Sequence, residues 1–376
     1  MDPPTPGDVD IEARIVVIGA GQAGLSTAYH LSRLGLRTDR DVMILDRGPG
    51  TGGAWQHRWE SLRLGTAHRV HDLPGMAALG LSFDTADRGA PAREVVADYY
   101  RRYENAYDLR VRRPVAVTAV RSEGTDLVVE SSAGRFRAAA VVNATGTWGA
   151  PYVPFYPGAP EFPGTQAHTA DYVSASAYAG KRVLVVGGGS SAIGFLLELE
   201  GVAARTLWST RRPVSFSEQT DLDLESAVRA VAQQDAAARA GKVLPSIVSG
   251  TGIPKTRRVR DAIDRGLLES RGRIARFEGN SVVWASGGVG GGDTDEIDAI
   301  LWATGFRPEV RHLAALGLRE STGGISVVDG VAERDPRVFF AGYGPQASTI
   351  GANRAGRLLA RRVHALVGSP PTPNGG

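Results

Sequence analysis

One stretch constrains this chain more than any other. Arg14-Ile15-Val16-Val17-Ile18-Gly19-Ala20-Gly21-Gln22-Ala23-Gly24 reads as an apolar strand running straight into a GxGxxG turn and then a helix. Gly19 permits the tight turn, Gly21 lets backbone approach a pyrophosphate, and Gly24 lets the helix pack close to the strand. The helix N-terminus then offers unpaired N–H groups to the anion. In a chain with 48 glycines the motif needs context. A second strand, Val42-Met43-Ile44-Leu45, supplies it by ending at Asp46, where a carboxylate can accept both hydroxyls of an adenosine ribose.

The pattern starts again further on. Lys181-Arg182-Val183-Leu184-Val185-Val186 is a strand, Gly187-Gly188-Gly189-Ser190-Ser191-Ala192 a second dinucleotide turn, and Ile193 to Leu199 an apolar-faced helix. The next strand, Thr206-Leu207-Trp208-Ser209, ends in Thr210-Arg211-Arg212 where the first unit has its acid. Guanidinium groups there suit a 2′-phosphate, which they bind through charge-assisted, bidentate bonds. Two strands ending in Ala-Thr-Gly, at 144–146 and 303–305, flank this second unit and place it as an insertion in the first. The expected fold is therefore α/β, with two Rossmann-like dinucleotide-binding domains. Residues 13–155 and 296–367 form the first, 156–295 the second, and 1–12 and 368–376 are disordered tails.

The remaining segments fill in this frame. Residues 92–107 carry Val95, Val96, Tyr99, Tyr100 and Tyr103 at helical spacing. Val115 to Val120, Leu127 to Glu130 and Arg135 to Arg137 read as a β-meander that returns to a buried strand at 139–143. A proline-studded connector through Pro151, Pro154, Pro157 and Pro160 marks the domain boundary. Helices are expected at 221–240 and 257–268, with Gly241 to Pro254 between them as a lid or a surface excursion. Val282 to Trp284 and Ile297 to Trp302 flank the glycine loop 287–292 as a hairpin. The closing strand, Arg337 to Gly342, leads through Tyr343 to Thr349 into a helix from Ile350 to about Leu366, with Ser348 or Thr349 as N-cap.

Composition excludes several classes. Lys+Arg 43 against Asp+Glu 40 leaves only +3, too little excess for a nucleic-acid binder, and Arg101-Arg102 and Arg361-Arg362 read as solvated helix faces. There is no cysteine, so dithiol redox centres and thiolate metal sites are excluded and no metal is expected. No apolar run is long enough to span a bilayer, and the acidic, proline-rich Met1 to Asp10 is unlike a signal peptide. The expectation is a cytoplasmic protein with no membrane partner.

These residues resemble the two-dinucleotide-binding flavoproteins, and among them the flavin-containing and Baeyer–Villiger monooxygenases, over about residues 13–366. The more specific likeness is Gly52-Gly53-Ala54-Trp55 and Phe162-Pro163-Gly164-Thr165-Gln166-Ala167-His168-Thr169-Ala170-Asp171-Tyr172, which matches the fingerprint FxGxxxHxxxY just before the second turn. The basic residue expected next is Val173, and the second turn ends in Ala192 in place of glycine. The resemblance implies FAD held by Gly19, Gly21, Gln22, Ala23, Gly24, Asp46, Arg47, Gly53, Ala54, Trp55, Arg58, Arg63, Val115, Thr145, Gly146, Gly342, Ser348, Thr349 and Ile350. It implies NADPH held by Gly187, Gly189, Ser190, Ser191, Arg211, Arg212 and Thr304. Where many family members have an asparagine thought to steady the oxygenated flavin, this chain has Gly65, which leaves Thr66, His68, His168 and Gln346 as catalytic candidates.

The activity implied is an FAD- and NADPH-dependent monooxygenase, passing one oxygen atom from a C4a-(hydro)peroxyflavin to a small organic substrate, with O2 as co-substrate. The fingerprint ends in Tyr172, as in the heteroatom-oxidising group, which favours N- or S-oxygenation or hydroxylation over Baeyer–Villiger ketone oxidation. An NAD(P)H-dependent flavoprotein reductase serving a partner protein is the alternative, and a homodimer is left open.

Overall fold

The computed structural model describes residues 10–67, 70–217, 224–245, 252–286, 292–344 and 349–368. His68, Gln346, Ser348, the glycine loop 287–291 and the middle of the 241–254 segment lie outside them. The chain divides into two compact units. Residues 1–149, 233–244 and 308–376 form the first, and 150–232 and 245–307 the second.

The first unit is built on β1 (Ile11–Ile18), which pairs in parallel with β2 (Val42–Leu45) and β5 (Gly134–Asn143). Its strands read as continuous apolar runs because both faces are covered. Ile15 and Val17 point into one core with α1 (Gln22–Arg33), α2 (Ala92–Ala106) and the last helix, α6 (Thr349–Gly368). Val16 and Ile18 point into a second core with β3 (Val117–Glu123) and β4 (Asp126–Ser131). The period of two along a strand produces this division. The helices α1 and α6 cross closely: a Cβ on Gly356 would lie 2.4 Å from Ser26 Oγ.

The second unit carries a four-stranded parallel sheet in the order β6 (Thr165–His168), β14 (Ala299–Trp302), β7 (Arg182–Val186), β8 (Arg205–Ser209). Helix α3 (Ser190–Leu199) follows β7, as the sequence pattern requires. An antiparallel trio, β11 (Ile274–Glu278), β12 (Ser281–Trp284) and β13 (Thr294–Glu296), packs its aromatic face with Phe162 and Trp302. Smaller pieces are the pair β9 (Phe216–Ser217) and β10 (Ile253–Pro254) and the helix α5 (Arg257–Asp264), while the helix α4 (Leu224–Arg239) is shared, its residues 233–239 counting with the first unit. In the first unit β15 (Val327–Val328), β16 (Val331–Ala332) and β17 (Val338–Phe340) extend the sheet beyond β5.

Four sequence expectations are corrected. Residues 11 and 12 are no tail: Ile11 and Glu12 open β1 opposite Phe136 and Arg137, and Asp10 pairs with Arg137 at 2.8 Å. Residues 135–137 and 139–143 are one strand, since β5 pairs with β4 on one edge and β1 on the other. The partner of β12 is β13, whereas Ala299–Trp302 belongs to the parallel sheet. The boundaries move with it: 150–155 and 296–307 group with the second unit, and 233–244 with the first. The buried run Ala299-Ile300-Leu301-Trp302 has no polar edge, so it sits in the sheet interior, where β6 and β7 pair with both sides.

Candidate functional site

The first glycine turn is fixed by sterics. Gly19 sits at φ +102°, and a Cβ there would come within 2.5 Å of the Ala144 carbonyl oxygen, so only glycine lets β1 and β5 end side by side. A second glycine segment lies against it: a Cβ on Gly53 would be 2.7 Å from the Gly21 Cα. Backbone therefore meets backbone between the 19–24 turn and the 52–55 loop, and the closing segment arrives nearby, where a Cβ on Gly342 would be 3.4 Å from that of Ala23.

Asp46 is buried and its carboxylate is held in place. Oδ2 accepts from the Ala20 N–H at 2.6 Å and Oδ1 from the Gly48 N–H at 2.7 Å. Each oxygen keeps a further lone pair, enough for two ribose hydroxyls. Arg113 stands 3.8 Å away and is itself gripped by Glu104 through two bonds of 2.7 Å. Val115 donates its N–H to the Asp46 carbonyl at 2.8 Å, which fixes the strand end from the other side.

The Ala-Thr-Gly end of β5 is tied to 308–312. The Thr145 hydroxyl donates to the Glu309 carbonyl at 2.6 Å, and the Gly146 carbonyl accepts from the Glu309 N–H at 2.9 Å. His312 donates from Nε2 to Asn143 Oδ1 at 2.8 Å. Burial, helped by the Arg47 charge, lowers the imidazole to about 4, so this buried ring is neutral. Asn143, Glu104, Arg113 and His312 support the site and were missed in the sequence. A polar residue closing an apolar strand was the available signal for Asn143; the others carried none.

Among the site residues Arg58 has the most telling surroundings. Its guanidinium lies 4.5 Å from the centre of the Trp148 ring and 5.7 Å from that of Trp55. Its Nε is buried with no hydrogen-bond partner among the described residues, and burial lowers its pKa to about 10. A half-buried guanidinium with no counter-ion among the described residues suits a phosphate of a bound dinucleotide. Arg47 stands 3.8 Å from Glu309, while Arg63 and Thr66 are exposed, the Thr66 hydroxyl donating to the Arg63 carbonyl at 3.1 Å as a turn residue would. Gly65 has no room for the family's asparagine without a shift, since a Cβ would be 3.0 Å from the Arg88 carbonyl oxygen. Gln22 donates to the His71 carbonyl at 3.0 Å, beside a cavity of about 420 Å³ lined by Val70, His71, Asp72, Asp84, Asn353 and Arg354. Helix α6 starts at Thr349, and the side chains of Thr349 and Ile350 lie outside the described residues.

The second turn repeats the logic. Gly187 sits at φ +137°, and a Cβ there would be 2.1 Å from the Ala303 carbonyl oxygen. The Trp208 indole donates to the Gly187 carbonyl at 2.7 Å and holds the turn against β8. Gly189 precedes α3, so Ser190 and Ser191 form its first turn. Arg211 and Arg212 are exposed and make no ion pair among the described residues. The Thr304 hydroxyl donates to the Tyr152 carbonyl, which ties the strand end to the connector.

The fingerprint residues act as a strap within this unit. Phe162 fills the aromatic core, and Gly164 passes the Asp298 carbonyl so closely that a Cβ would lie 2.3 Å from it. His168 accepts at Nδ1 from the Ala170 N–H at 3.2 Å, which leaves Nε2 to donate to the Gly305 carbonyl at 3.0 Å. Burial lowers its pKa, so the ring is a neutral brace for the 303–305 turn. Tyr172 donates to Glu198 at 2.9 Å and packs 4.3 Å from the Phe195 ring centre.

The pattern of the pyridine nucleotide-disulphide oxidoreductase family matches residues 16–243. A flavin-containing monooxygenase from Stenotrophomonas maltophilia has a solved structure that is 34% identical, with TM-score 0.76, covering 94% of this chain and 99% of that one. The oxidoreductase CzcO of Bacillus subtilis (strain 168) is 24% identical over 84% of this chain and 89% of its own length. An indole-3-pyruvate monooxygenase of Oryza sativa subsp. japonica is 30% identical over 49% of this chain, which covers 44% of that relative's length.

Proposed function

The chain belongs to the pyridine nucleotide-disulphide oxidoreductase family and is a flavin-dependent monooxygenase within it, and from this premise we propose that it uses NADPH and O2 to oxygenate nitrogen, sulfur or an electron-rich carbon of a small organic substrate. The family implies FAD and NADPH as cofactors. With no cysteine in the sequence, the dithiol relay in the family's description has no place here. The observation that carries the proposal is the contrast between the two strand ends: a fixed carboxylate at Asp46 and exposed guanidinium groups at Arg211 and Arg212 that have no ion pair among the described residues. The first suits the free ribose of FAD and the second the 2′-phosphate of NADPH.

Bound FAD, reduced by NADPH, supplies the activation of O2. The chain's own residues do the holding. Asp46 takes the ribose hydroxyls while Ala20, Gly48 and Arg113 keep its carboxylate from turning. The glycine backbones at 19–24 and 52–53 admit the pyrophosphate, and Arg58 neutralises part of its charge. Thr145 and Gly146 keep their place through Glu309, and Trp55 is buried in the core shared with α1 and α2.

The test is to supply simple amines, sulfides, indole and cyclic ketones with NADPH and O2 and to identify the products. N-oxides, S-oxides or hydroxylated rings are expected. Lactones formed from the ketones, with no heteroatom or ring carbon oxygenated, would overturn the substrate class.

A further inference from the structure

The loop before β11 brings a third arginine with no ion pair among the described residues to the end of β8. Residues 270–272 are tied along that strand end by four contacts. The Arg271 N–H donates to the Trp208 carbonyl at 2.9 Å, and the Thr210 N–H to that of Gly272 at 3.1 Å. The Ser209 hydroxyl donates to the same Gly272 carbonyl at 2.9 Å, and the hydroxyls of Thr210 and Ser270 are 2.7 Å apart. Arg273 is the next residue, held on its other side by the Ala285 N–H, which donates to its carbonyl at 2.8 Å.

The arginines around this point fall into two groups. Arg205 and Arg271 are taken by Asp295, at 3.1 and 3.0 Å. Arg211, Arg212 and Arg273 are exposed and have no ion pair among the described residues. Tyr156 connects them: its ring stacks on Trp302 at 6.0 Å and 13°, and the charges of Arg211 and Arg273 both act on its phenol, opposing the upward push of burial. Like charges gathered in this way repel one another until a counter-ion arrives, and a phosphomonoester dianion fits that need.

We propose that Arg273 is a third determinant of coenzyme choice, and that its guanidinium completes, with Arg211 and Arg212, a pocket for a phosphomonoester on the adenosine ribose. The inference rests on reading the second unit as the NADPH site. Arg273 is 61 residues from Arg212, so no local motif joins them; the hydrogen bonds of the 270–272 segment do.

The experiment measures binding of adenosine 2′,5′-bisphosphate and of AMP to the full-length protein by calorimetry, for the wild type, Arg273→Ala, Arg273→Lys and the Arg211→Ala/Arg212→Ala pair. The wild type should prefer the bisphosphate, Arg273→Ala should weaken it roughly tenfold while leaving AMP unchanged, and Arg273→Lys should keep most of the affinity. If only the Arg211/Arg212 pair abolishes the preference, the role of Arg273 is refuted and the NADPH site stands. Equal weakening of both ligands by Arg273→Ala would also refute it, as a structural effect. A wild type indifferent to the 2′-phosphate would overturn the NADPH reading and this inference together.

Discussion

Replacing His312 with glutamine should remove a defined share of the protein's sensitivity to acid. His312 is only 7% exposed, bonds Asn143 at 2.8 Å, and is lowered from 6.5 to about 4 by burial first and then by Arg47. In the unfolded chain it takes up a proton near 6.5, whereas in the fold it resists until about 4. Between these values the unfolded state binds more protons, so stability rises with pH across the window and is lost as pH falls. The whole interval is worth ~3 kcal/mol at ~1.36 kcal/mol per pH unit, and the part between about pH 7.5 and about pH 5 is ~2 kcal/mol. Glutamine keeps an N–H for Asn143 Oδ1 and does not titrate. The assay is urea denaturation of the FAD-free protein at both pH values, read by tryptophan fluorescence. The wild type should lose ~2 kcal/mol more than His312→Gln on acidification. His30, His57 and His168, also lowered by burial, act equally in both proteins and cancel. Parallel losses in the two proteins would refute a buried, neutral His312.

Three further outcomes are expected. Asp46→Ala should weaken FAD binding by ~1.5–3 kcal/mol, the usual value of hydrogen bonds to a charged group; a fluorescence titration that finds unchanged affinity would remove Asp46 from the site. Gly53→Ala places a Cβ 2.7 Å from the Gly21 Cα at φ +53°, so FAD occupancy after purification should fall, with ~1–2 kcal/mol lost to backbone strain alone; full occupancy would show that the two loops can separate freely. His168→Ala should destabilise the protein by ~0.5–1.5 kcal/mol through loss of one hydrogen bond to the Gly305 carbonyl, which still accepts from the Tyr152 N–H at 3.0 Å, while the pH profile of NADPH oxidation keeps its shape. An ionisation missing from that profile would make His168 an acid–base group in place of a brace.

Much of the candidate site's local geometry was legible because its constraints are local. The tight turn at Gly19 and the strand that ends in Asp46 each follow from a few adjacent residues, and the structure places them as their spacing requires. The same reasoning points to Arg211 and Arg212, as the counterpart of Asp46 one unit later. The fingerprint was visible too, although only contacts show why its residue types occur: Gly164 clears the Asp298 carbonyl and His168 braces Gly305.

The sequence by itself determined where the main strands, glycine turns and helices lie, since apolar runs and glycine positions act over a few residues. It did not determine which strand lies beside which. Ala299–Trp302 reads equally well as a hairpin arm, and its place between β6 and β7 depends on backbone hydrogen bonds to residues more than 100 positions away. The same holds for Arg113 beside Asp46, His312 on Asn143 and the 270–272 segment along the end of β8. A side chain's charge or hydrogen bond becomes meaningful only where the folded sheet sets its neighbours, and that proximity is a property of the tertiary structure alone.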